Sequence, residues 1–417
     1  MHGPLLRFLG KNLAAIRAAW LIIGVTLLML FLLEAAFRTR RLLAERRSMA
    51  PRTYMSGDPR AEPWFADYQR EFDRTRGLRW RPYVYFRRAE SLDGPYIRID
   101  SLGHRVTPQP TSPAAPAARV RLYGGSTMWG EPQREDHTVA AEISRRLQRL
   151  AGPGARIEVT NVAETGYVFT QEVIQLMLDL RAGARPDVVV FYDGLNDVAS
   201  TVQRGVAGDP QNEGNRIADF ALGRSLDRAS YASPLAKDMG PLGALVAQSF
   251  NRLAMVQWAQ ARKSRPERTF IAADSAARGT AHAYIENGKL VESLGARYGF
   301  TTVYVWQPNL HSSEKKLDPY EKNLRQLIES DTFHLRVQAT HRMVPAILDS
   351  AMRGVAPERF VNASKLFKDD PQPVFVDRIG HTTESAIPVI VDTFWPTLER
   401  AVTLQRAKRT RSASTAS

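Results

Sequence analysis

The chain has 417 residues, of which 44% are hydrophobic and 24% are charged, and this balance excludes a disordered or fibrous protein. It contains no cysteine, which also excludes disulfide bonds, thiolate zinc sites and a cysteine nucleophile. The 57 Lys and Arg outnumber the 43 Asp and Glu, giving a net charge of +14 that raises the question of a nucleic-acid or anionic-surface partner.

The first element is an apolar run over residues 18–33 that carries no charge and continues past Glu34 to Phe37. Its length is close to the roughly 20 residues that cross a bilayer, so we predict a single transmembrane helix over 18–37, after an N-terminal segment 1–17. The alternative is a cleaved signal peptide, whose apolar region spans only about 7 to 15 residues. Because no small-residue cleavage site follows the run, we favour an uncleaved anchor that contacts the lipid bilayer.

Arginines on the two sides of this helix bear on its orientation. Six arginines and a single acid lie in residues 38–52, where they are placed to meet anionic lipid head groups. Taken literally, the positive-inside rule would keep the rest of the chain in the cytoplasm. The cations that precede the run are fewer: Arg7, Lys11 and Arg17.

Residues 38–116 form a basic membrane-proximal segment with interleaved aromatic residues, ending in a Pro/Ala-rich linker. Arginine beside aromatic rings is typical of single-stranded nucleic-acid binding. It is also typical of a segment that packs its rings against a neighbouring domain. Because no nucleic-acid-binding motif accompanies the charge, we expect packing and no nucleic-acid partner.

From residue 117 short β-rich runs alternate with amphipathic helical stretches, which predicts βαβ units, a parallel sheet and a three-layer α/β/α domain over 117–402. Ligands on such a sheet bind at the carboxyl ends of its strands. The predicted strands are Val120–Tyr123, Ile157–Val162, Val188–Tyr192, Thr302–Trp306, Phe360–Val361 and Val374–Val376, and the predicted helices are Val139–Leu150, Gln171–Arg181, Ala277–Tyr298, Pro319–Ile328 and Phe333–Met352.

Two stretches depart from this alternation. Residues 201–275 are polar and contain Gly and Asn, which indicates either an insertion that covers the strand ends or a solvated surface excursion. Residues 403–417 are basic and Ser-rich, so we predict a disordered tail there.

The turn after the first predicted strand reads Gly-Gly-Ser-Thr-Met-Trp-Gly over residues 124–130. It fails the dinucleotide-loop pattern, because Ser126 and Trp129 stand where glycine is needed. It also fails the P-loop pattern, because Glu131 replaces the lysine. What remains is a serine flanked by glycines, either exposed for chemistry or capping the next helix.

Three further residues follow predicted strands, and each is a weak signal alone. Gly166 leaves a backbone N–H accessible, and Asn196 can donate its amide into the same crevice. His381 lies in a late loop with an acid upstream, whereas His104 and His311 remain less favoured alternatives near loops.

In this order the four blocks resemble the SGNH/GDSL hydrolase family, and the resemblance covers residues 117–402. It implies an SGNH-hydrolase-like, flavodoxin-like fold with Ser126 as nucleophile and His381 as base. It also implies an oxyanion hole formed by Ser126, Gly166 and Asn196. No cofactor and no metal are expected.

Asp377 is the residue that the resemblance implies as the orienter of His381. The family usually places this Asp three residues before the His, whereas Asp377 lies four before it and Arg378 stands at the usual position. The loop absorbs one extra residue, or a backbone carbonyl orients His381 and leaves a Ser–His dyad. Asp369 and Asp370 are poorer substitutes.

The resemblance implies a membrane-anchored serine esterase or O-acyltransferase. We expect it to act on acyl esters such as the O-acetyl groups of a cell-envelope or exported glycan. Family members of this layout often lie outside the cytoplasm, so we place the catalytic domain in the periplasm against the arginine count, since long domains translocate largely regardless of charge. The alternative is a non-catalytic envelope or polysaccharide-assembly factor that retains the fold.

Overall fold

The computed structural model describes residues 3–49, 58–111, 115–217, 220 and 271–416. The chain divides into two compact units. One comprises Met1–Thr53 with Gly214–Glu267, and the other comprises Tyr54–Glu213 with Arg268–Ser417. The predicted insertion at 201–275 lies largely outside the described residues.

The described part of the first unit is dominated by helix α1 (Gly3–Met49). Its stretch Arg17–Arg40 has a mean hydropathy of 2.3 and is the one helix of the described chain that is long and apolar enough to cross a membrane. A signal sequence near the N-terminus has the same properties. The predicted span 18–37 falls within this stretch.

The second unit begins before the predicted boundary at residue 117, because the basic segment from residue 58 onward folds with the sheet domain. Some of its aromatic residues pack against that domain as expected: the ring centroids of Phe72 and Trp129 lie 5.8 Å apart, and those of Phe86 and Tyr167 lie 5.3 Å apart. Trp80 and Tyr83 are exposed instead. The segment comprises helix α2 (Phe65–Arg74), the antiparallel pair β1 (Leu78–Arg81) and β2 (Tyr85–Arg88), and the short pair β3 (Leu92–Asp93) and β4 (Arg98–Ile99).

A five-stranded sheet forms the centre of this unit, and every neighbouring pair of its strands is parallel. The strands are β5 (Ala118–Gly124), β6 (Ile157–Asn161), β7 (Val188–Asp193), β8 (Thr301–Trp306) and β9 (Phe360–Asn362). They lie in the order β6-β5-β7-β8-β9, which is the 2-1-3-4-5 order of flavodoxin-like folds. Five of the six predicted strands are therefore confirmed.

Helices cover both faces of the sheet and make the predicted three-layer α/β/α arrangement. Within β7, Val188 and Val190 join one hydrophobic core, while Val189 and Phe191 join the other, because successive side chains of a strand point to opposite faces. The helices are α3 (Ser126–Trp129), α4 (Val139–Ala151), α5 (Phe169–Arg181), α6 (Leu195–Arg204), α7 (Ala273–Tyr298), α8 (Pro319–Glu329), α9 (Thr332–Val355) and α10 (Ile387–Ala416).

The predicted strand Val374–Val376 is wrong. The N–H groups of Val374 and Phe375 donate to the buried Glu321 carboxylate at 2.9 and 3.1 Å, so this stretch does not extend the five-stranded sheet. Phe375 instead forms an isolated antiparallel bridge with Thr382. The bridge closes the loop that contains His381.

The predicted disordered tail at 403–417 is also wrong, because α10 continues to Ala416. Its basic side chains find acceptors on the domain. Arg406 donates to Leu150 O at 3.0 Å, where helix α4 ends, and Arg409 pairs with Asp187 at 3.0 Å. Backbone carbonyls at the end of a helix have no partner within that helix, so they accept hydrogen bonds from arginine side chains readily. These contacts hold the C-terminal helix against the domain.

Candidate active site

Ser126 begins the four-residue helix α3, directly after β5 reaches the carboxyl edge of the sheet. The turn fits only because residue 125 is glycine: a Cβ there would lie 2.3 Å from Asn196 Nδ2. Thr127 Oγ1 donates to the side chain of Gln307 at 2.7 Å. Asn161 Nδ2 donates to the backbone carbonyl of residue 128 at 3.0 Å, so neighbouring strands hold the turn in place.

Trp129, three residues after Ser126, is fully buried between two arginine side chains. The guanidinium carbon of Arg88 lies 4.9 Å from one ring of Trp129, and that of Arg105 lies 4.7 Å from it. Arg105 also donates to the backbone carbonyls of Gly130 and Gln133 at 2.5 and 2.7 Å. These cation–π and hydrogen-bond contacts fix the end of the serine turn.

Arg88 ties the same turn to the loop after β6 that contains Gly166. It pairs with the fully buried Glu164 at 3.2 Å and donates to Thr165 Oγ1 at 2.9 Å. Glu164 in turn accepts the backbone N–H of Arg88 at 3.0 Å and that of Thr165 at 2.9 Å. A buried carboxylate with this many partners gives the loop a single position.

Ser126, His381 and Asp377 form a continuous chain of hydrogen bonds. Ser126 Oγ lies 2.8 Å from His381 Nε2, and His381 Nδ1 lies 2.7 Å from Asp377 Oδ2. Ser126 and His381 are buried, whereas 29% of the Asp377 side chain is exposed. The arrangement places a nucleophile, a base and an orienting group within hydrogen-bond reach of one another.

A tight turn accounts for the four-residue spacing between Asp377 and His381. Asp377 Oδ1 accepts the backbone N–H groups of Ile379, Gly380 and His381 at 2.9, 2.9 and 3.3 Å. Gly380 has a φ of 115°, which non-glycine residues rarely adopt, and it absorbs the extra residue. Asp370 does not take this role, because its side chain accepts the N–H of Gln372.

The ion pair shifts the pKa of both partners. Burial lowers the pKa of His381, but the Asp377 charge, the Glu131 charge and the hydrogen bond to Asp377 together outweigh burial and raise the pKa to about 9. Burial would raise the pKa of Asp377, but the His381 charge and its hydrogen bonds lower it to about 2. The pair is therefore most stable as imidazolium and carboxylate, which favours proton uptake by His381.

The three predicted oxyanion donors lie around the same cavity, whose volume is about 410 Å³. Asn196 Nδ2 uses one N–H on Tyr167 O at 2.8 Å, which leaves its second N–H for a ligand. Within the described residues no acceptor takes the backbone N–H of Ser126 or Gly166. All the residues predicted for the site are thus brought together.

The cavity also contains residues that the motif did not include. Gln211 donates to Asn196 Oδ1 at 2.8 Å and orients the amide. His311 and His334 line the cavity with parallel rings 5.8 Å apart, and burial lowers the pKa of His311 to about 3, so it is neutral. Glu131 lines it as well, and its only sequence signal is its position just after the serine turn. Across the described ranges no group of three or more His, Asp and Glu is arranged to hold a metal.

No protein-family model matches the sequence, and no curated protein matches it. Among solved structures the chain is similar to a lipolytic G-D-S-L family member from Veillonella parvula, with 10% identity, a TM-score of 0.33 and coverage of 67% of this chain and 96% of that one. It is also similar to a carbohydrate acetylesterase family member from Sinorhizobium meliloti, with 13% identity, a TM-score of 0.35 and coverage of 69% of this chain and 99% of that one. An acetyl xylan esterase has 12% identity, a TM-score of 0.36 and coverage of 67% of this chain and 98% of its own.

These similar structures are esterases and lipolytic proteins of the kind that the sequence motifs resemble. At such identities and TM-scores the likeness carries neither an activity nor a substrate over to this chain. The function is therefore inferred from the geometry of the cavity.

The His381 pKa of about 9 predicts how the reactivity of Ser126 depends on pH. His381 must be neutral to accept the Ser126 proton, so the rate of phosphonylation by a fluorophosphonate should rise with pH and level off above about 9. In Asp377→Asn the carboxylate charge is lost and the pKa of His381 falls, so the midpoint should move to lower pH. The plateau rate should drop by up to about 10⁴-fold, because the imidazole tautomer is no longer held.

Asp370→Asn is the matched control, since it removes a carboxylate from the same region without contacting His381. Both its midpoint and its plateau should equal those of the wild type. An unchanged midpoint in Asp377→Asn would contradict the ion pair.

Proposed function

We propose that the chain is a membrane-anchored serine esterase or O-acyltransferase of the SGNH/GDSL type that acts on acyl esters. The proposal depends on the Ser126–His381–Asp377 chain of hydrogen bonds, with distances of 2.8 and 2.7 Å. This chain faces a cavity lined by N–H donors that have no acceptor among the described residues. An activated hydroxyl beside donors for a developing negative charge is what acyl transfer requires.

In the first step the Ser126 oxygen attacks the carbonyl carbon of the ester. The hydroxyl proton passes to His381 Nε2, while Asp377 holds the Nδ1–H and stabilises the imidazolium that forms. The electron pair of the carbonyl π bond moves onto its oxygen. The product of this step is a tetrahedral intermediate attached to Ser126.

The negative oxygen of this intermediate is stabilised by the N–H groups of Ser126 and Gly166 and by the amide of Asn196. Each donor of this kind contributes about 3 kcal/mol of transition-state stabilisation. Because the donors are fixed before the substrate binds, little reorganisation is needed during the reaction. The contacts of Gln211 and Tyr167 with the Asn196 amide serve this purpose.

When the intermediate collapses, the alcohol leaves with the proton held on His381, and the acyl group stays on Ser126. His381 then removes a proton from the acceptor, which attacks the acyl-serine carbonyl in the reverse sequence of steps. Water as acceptor makes the protein an esterase, and a sugar hydroxyl makes it an O-acyltransferase. The proposed substrates are O-acetyl groups on a cell-envelope or exported glycan.

The alternative, a non-catalytic assembly factor with the same fold, is favoured only by the unusual four-residue spacing between Asp377 and His381. The turn at Asp377 accommodates that spacing and keeps the 2.7 Å contact with His381. This geometry supports the catalytic proposal over the non-catalytic one.

We also propose that the catalytic unit lies outside the cytoplasm, anchored by the apolar helix. The support is the helix itself and the expected envelope substrate, set against the arginines of residues 38–52. Long domains translocate largely regardless of flanking charge, so the arginines of residues 38–52 are compatible with a catalytic unit outside the cytoplasm.

Replacing Ser126 should remove the activity. Because Ser126 supplies the nucleophile, Ser126→Ala should lower the rate of p-nitrophenyl acetate hydrolysis by at least about 10³-fold. Ser275→Ala, which changes an exposed serine at the start of helix α7, is the control and should retain the wild-type rate. Equal rates in Ser126→Ala and the wild type would refute the catalytic proposal.

The orientation is tested with a reporter enzyme that is active only outside the cytoplasm, fused after residue 417. We expect activity from the full chain and none from a chain lacking residues 1–40, which has no anchor. If only a cytoplasmic reporter is active at this position, the proposed placement is wrong.

A further inference from the structure

The walls of the catalytic cavity differ in chemistry on the two sides of β5. Polar residues come from the loops after β5 and β6, at one edge of the sheet. Apolar residues come mainly from α6 and α9, which follow β7 and β8 on the other side and also contribute Asn196, Gln203 and His334. Glu131 and Thr165 line the first side, and the apolar side chains of the second side are Leu195, Ala199, Phe333, Val337 and Ile379.

An ester bound at Ser126 has two halves, and this division orients them. The acyl methyl or methylene groups are favoured against the apolar wall, because burial there removes them from water. The alcohol half is then directed toward Glu131 and Thr165. Gly166 and Asn196 also line the cavity, where their N–H groups donate to the carbonyl oxygen of the ester.

Glu131 is a half-buried carboxyl group without a direct partner. Within the described ranges no N–H or O–H group donates to its side chain, and no cation lies at ion-pair distance. Its neighbours in the fold differ: Glu135 accepts the N–H of Arg98, and Glu164 pairs with Arg88. A carboxylate that faces a cavity without a donor from the described residues has free acceptor oxygens, so a ligand that excludes water from the cavity has to supply a donor to them.

The cations near Glu131 are already engaged elsewhere. Burial raises the pKa of Glu131, whereas His381, Arg88 and Arg76 each lower it by their charge, His381 most strongly. His381 is held by Asp377 at 2.7 Å. Arg88 is held by Glu164 at 3.2 Å and Arg76 by Asp73 at 2.8 Å. The backbone N–H of Glu131 donates to Ser126 O at 2.9 Å, which fixes its distance from the nucleophile.

From this placement, and resting on the proposed function, we propose that Glu131 accepts a hydrogen bond from a hydroxyl group on the alcohol half of the substrate. The enzyme then selects esters of polyhydroxylated alcohols, sugars among them, over esters of alcohols without a second hydroxyl. The only bond formed is the hydrogen bond from the hydroxyl to the carboxylate, and the acyl transfer itself is unchanged.

The test uses the full-length protein and two substrates that differ only in this donor. One is a mono-O-acetylated methyl β-xylopyranoside with free hydroxyls, and the other is the same compound with those hydroxyls O-methylated. The wild type should favour the free-hydroxyl ester in kcat/KM by about tenfold or more, since hydrogen bonds to charged groups are worth at least that factor. Glu131→Gln should reduce this ratio about tenfold, mainly through KM for the free-hydroxyl ester.

Glu158→Gln is the matched control, because it removes one carboxylate charge from the edge strand β6 away from the cavity lining. It should leave the ratio unchanged. Equal losses on both esters in Glu131→Gln would overturn the proposal, because they would mean that Glu131 acts through His381 or the fold. An equal preference of the wild type for the two esters would overturn it as well.

Hydrolysis of p-nitrophenyl acetate separates this proposal from the proposed function. If that hydrolysis depends on Ser126 but neither sugar ester is cleaved, the role of Glu131 is wrong and the esterase assignment stands. If no ester is hydrolysed in a Ser126-dependent way, both proposals are wrong.

Discussion

The position of Ser126 depends on Trp129, which is enclosed by the guanidinium groups of Arg88 and Arg105 at 4.9 and 4.7 Å. A serine at the edge of a sheet reacts productively only if its turn keeps one geometry, since catalytic power falls steeply with misplacement. Arg88 extends the same constraint to the Gly166 loop through its buried pair with Glu164. One pair of arginines therefore sets the distance between the nucleophile and an oxyanion donor.

The structural role of these arginines explains part of the positive charge of the chain. The arginines that resemble a nucleic-acid-binding stretch in the sequence include Arg87, Arg88 and Arg105, which are buried and donate to carbonyls or pair with carboxylates. The excess charge of the segment is thus partly structural. The arginines of residues 38–52 remain as the share that suits an anionic membrane surface.

The sequence suffices to predict the five strands of the sheet from local patterns, and the order of its strand-end motifs, through the family that they resemble, indicates the triad and oxyanion residues. Apolar runs mark the strands, and the ends of neighbouring parallel strands meet at one edge, so Ser126 and Asn196 converge. Arg88 and Glu164 lie 76 residues apart, and no local pattern identifies such a pair. The same applies to Glu131, and to the tail, whose helix depends on acceptors at Leu150 and Asp187.

Activation of Ser126 by His381 is tested by locating the covalent adduct of a fluorophosphonate in the full-length protein. We predict one phosphonyl group per chain, found by peptide mass spectrometry on Ser126 and absent from His381→Ala over the same reaction time. Modification of a different residue, or of Ser126 at the same rate in His381→Ala, would contradict it.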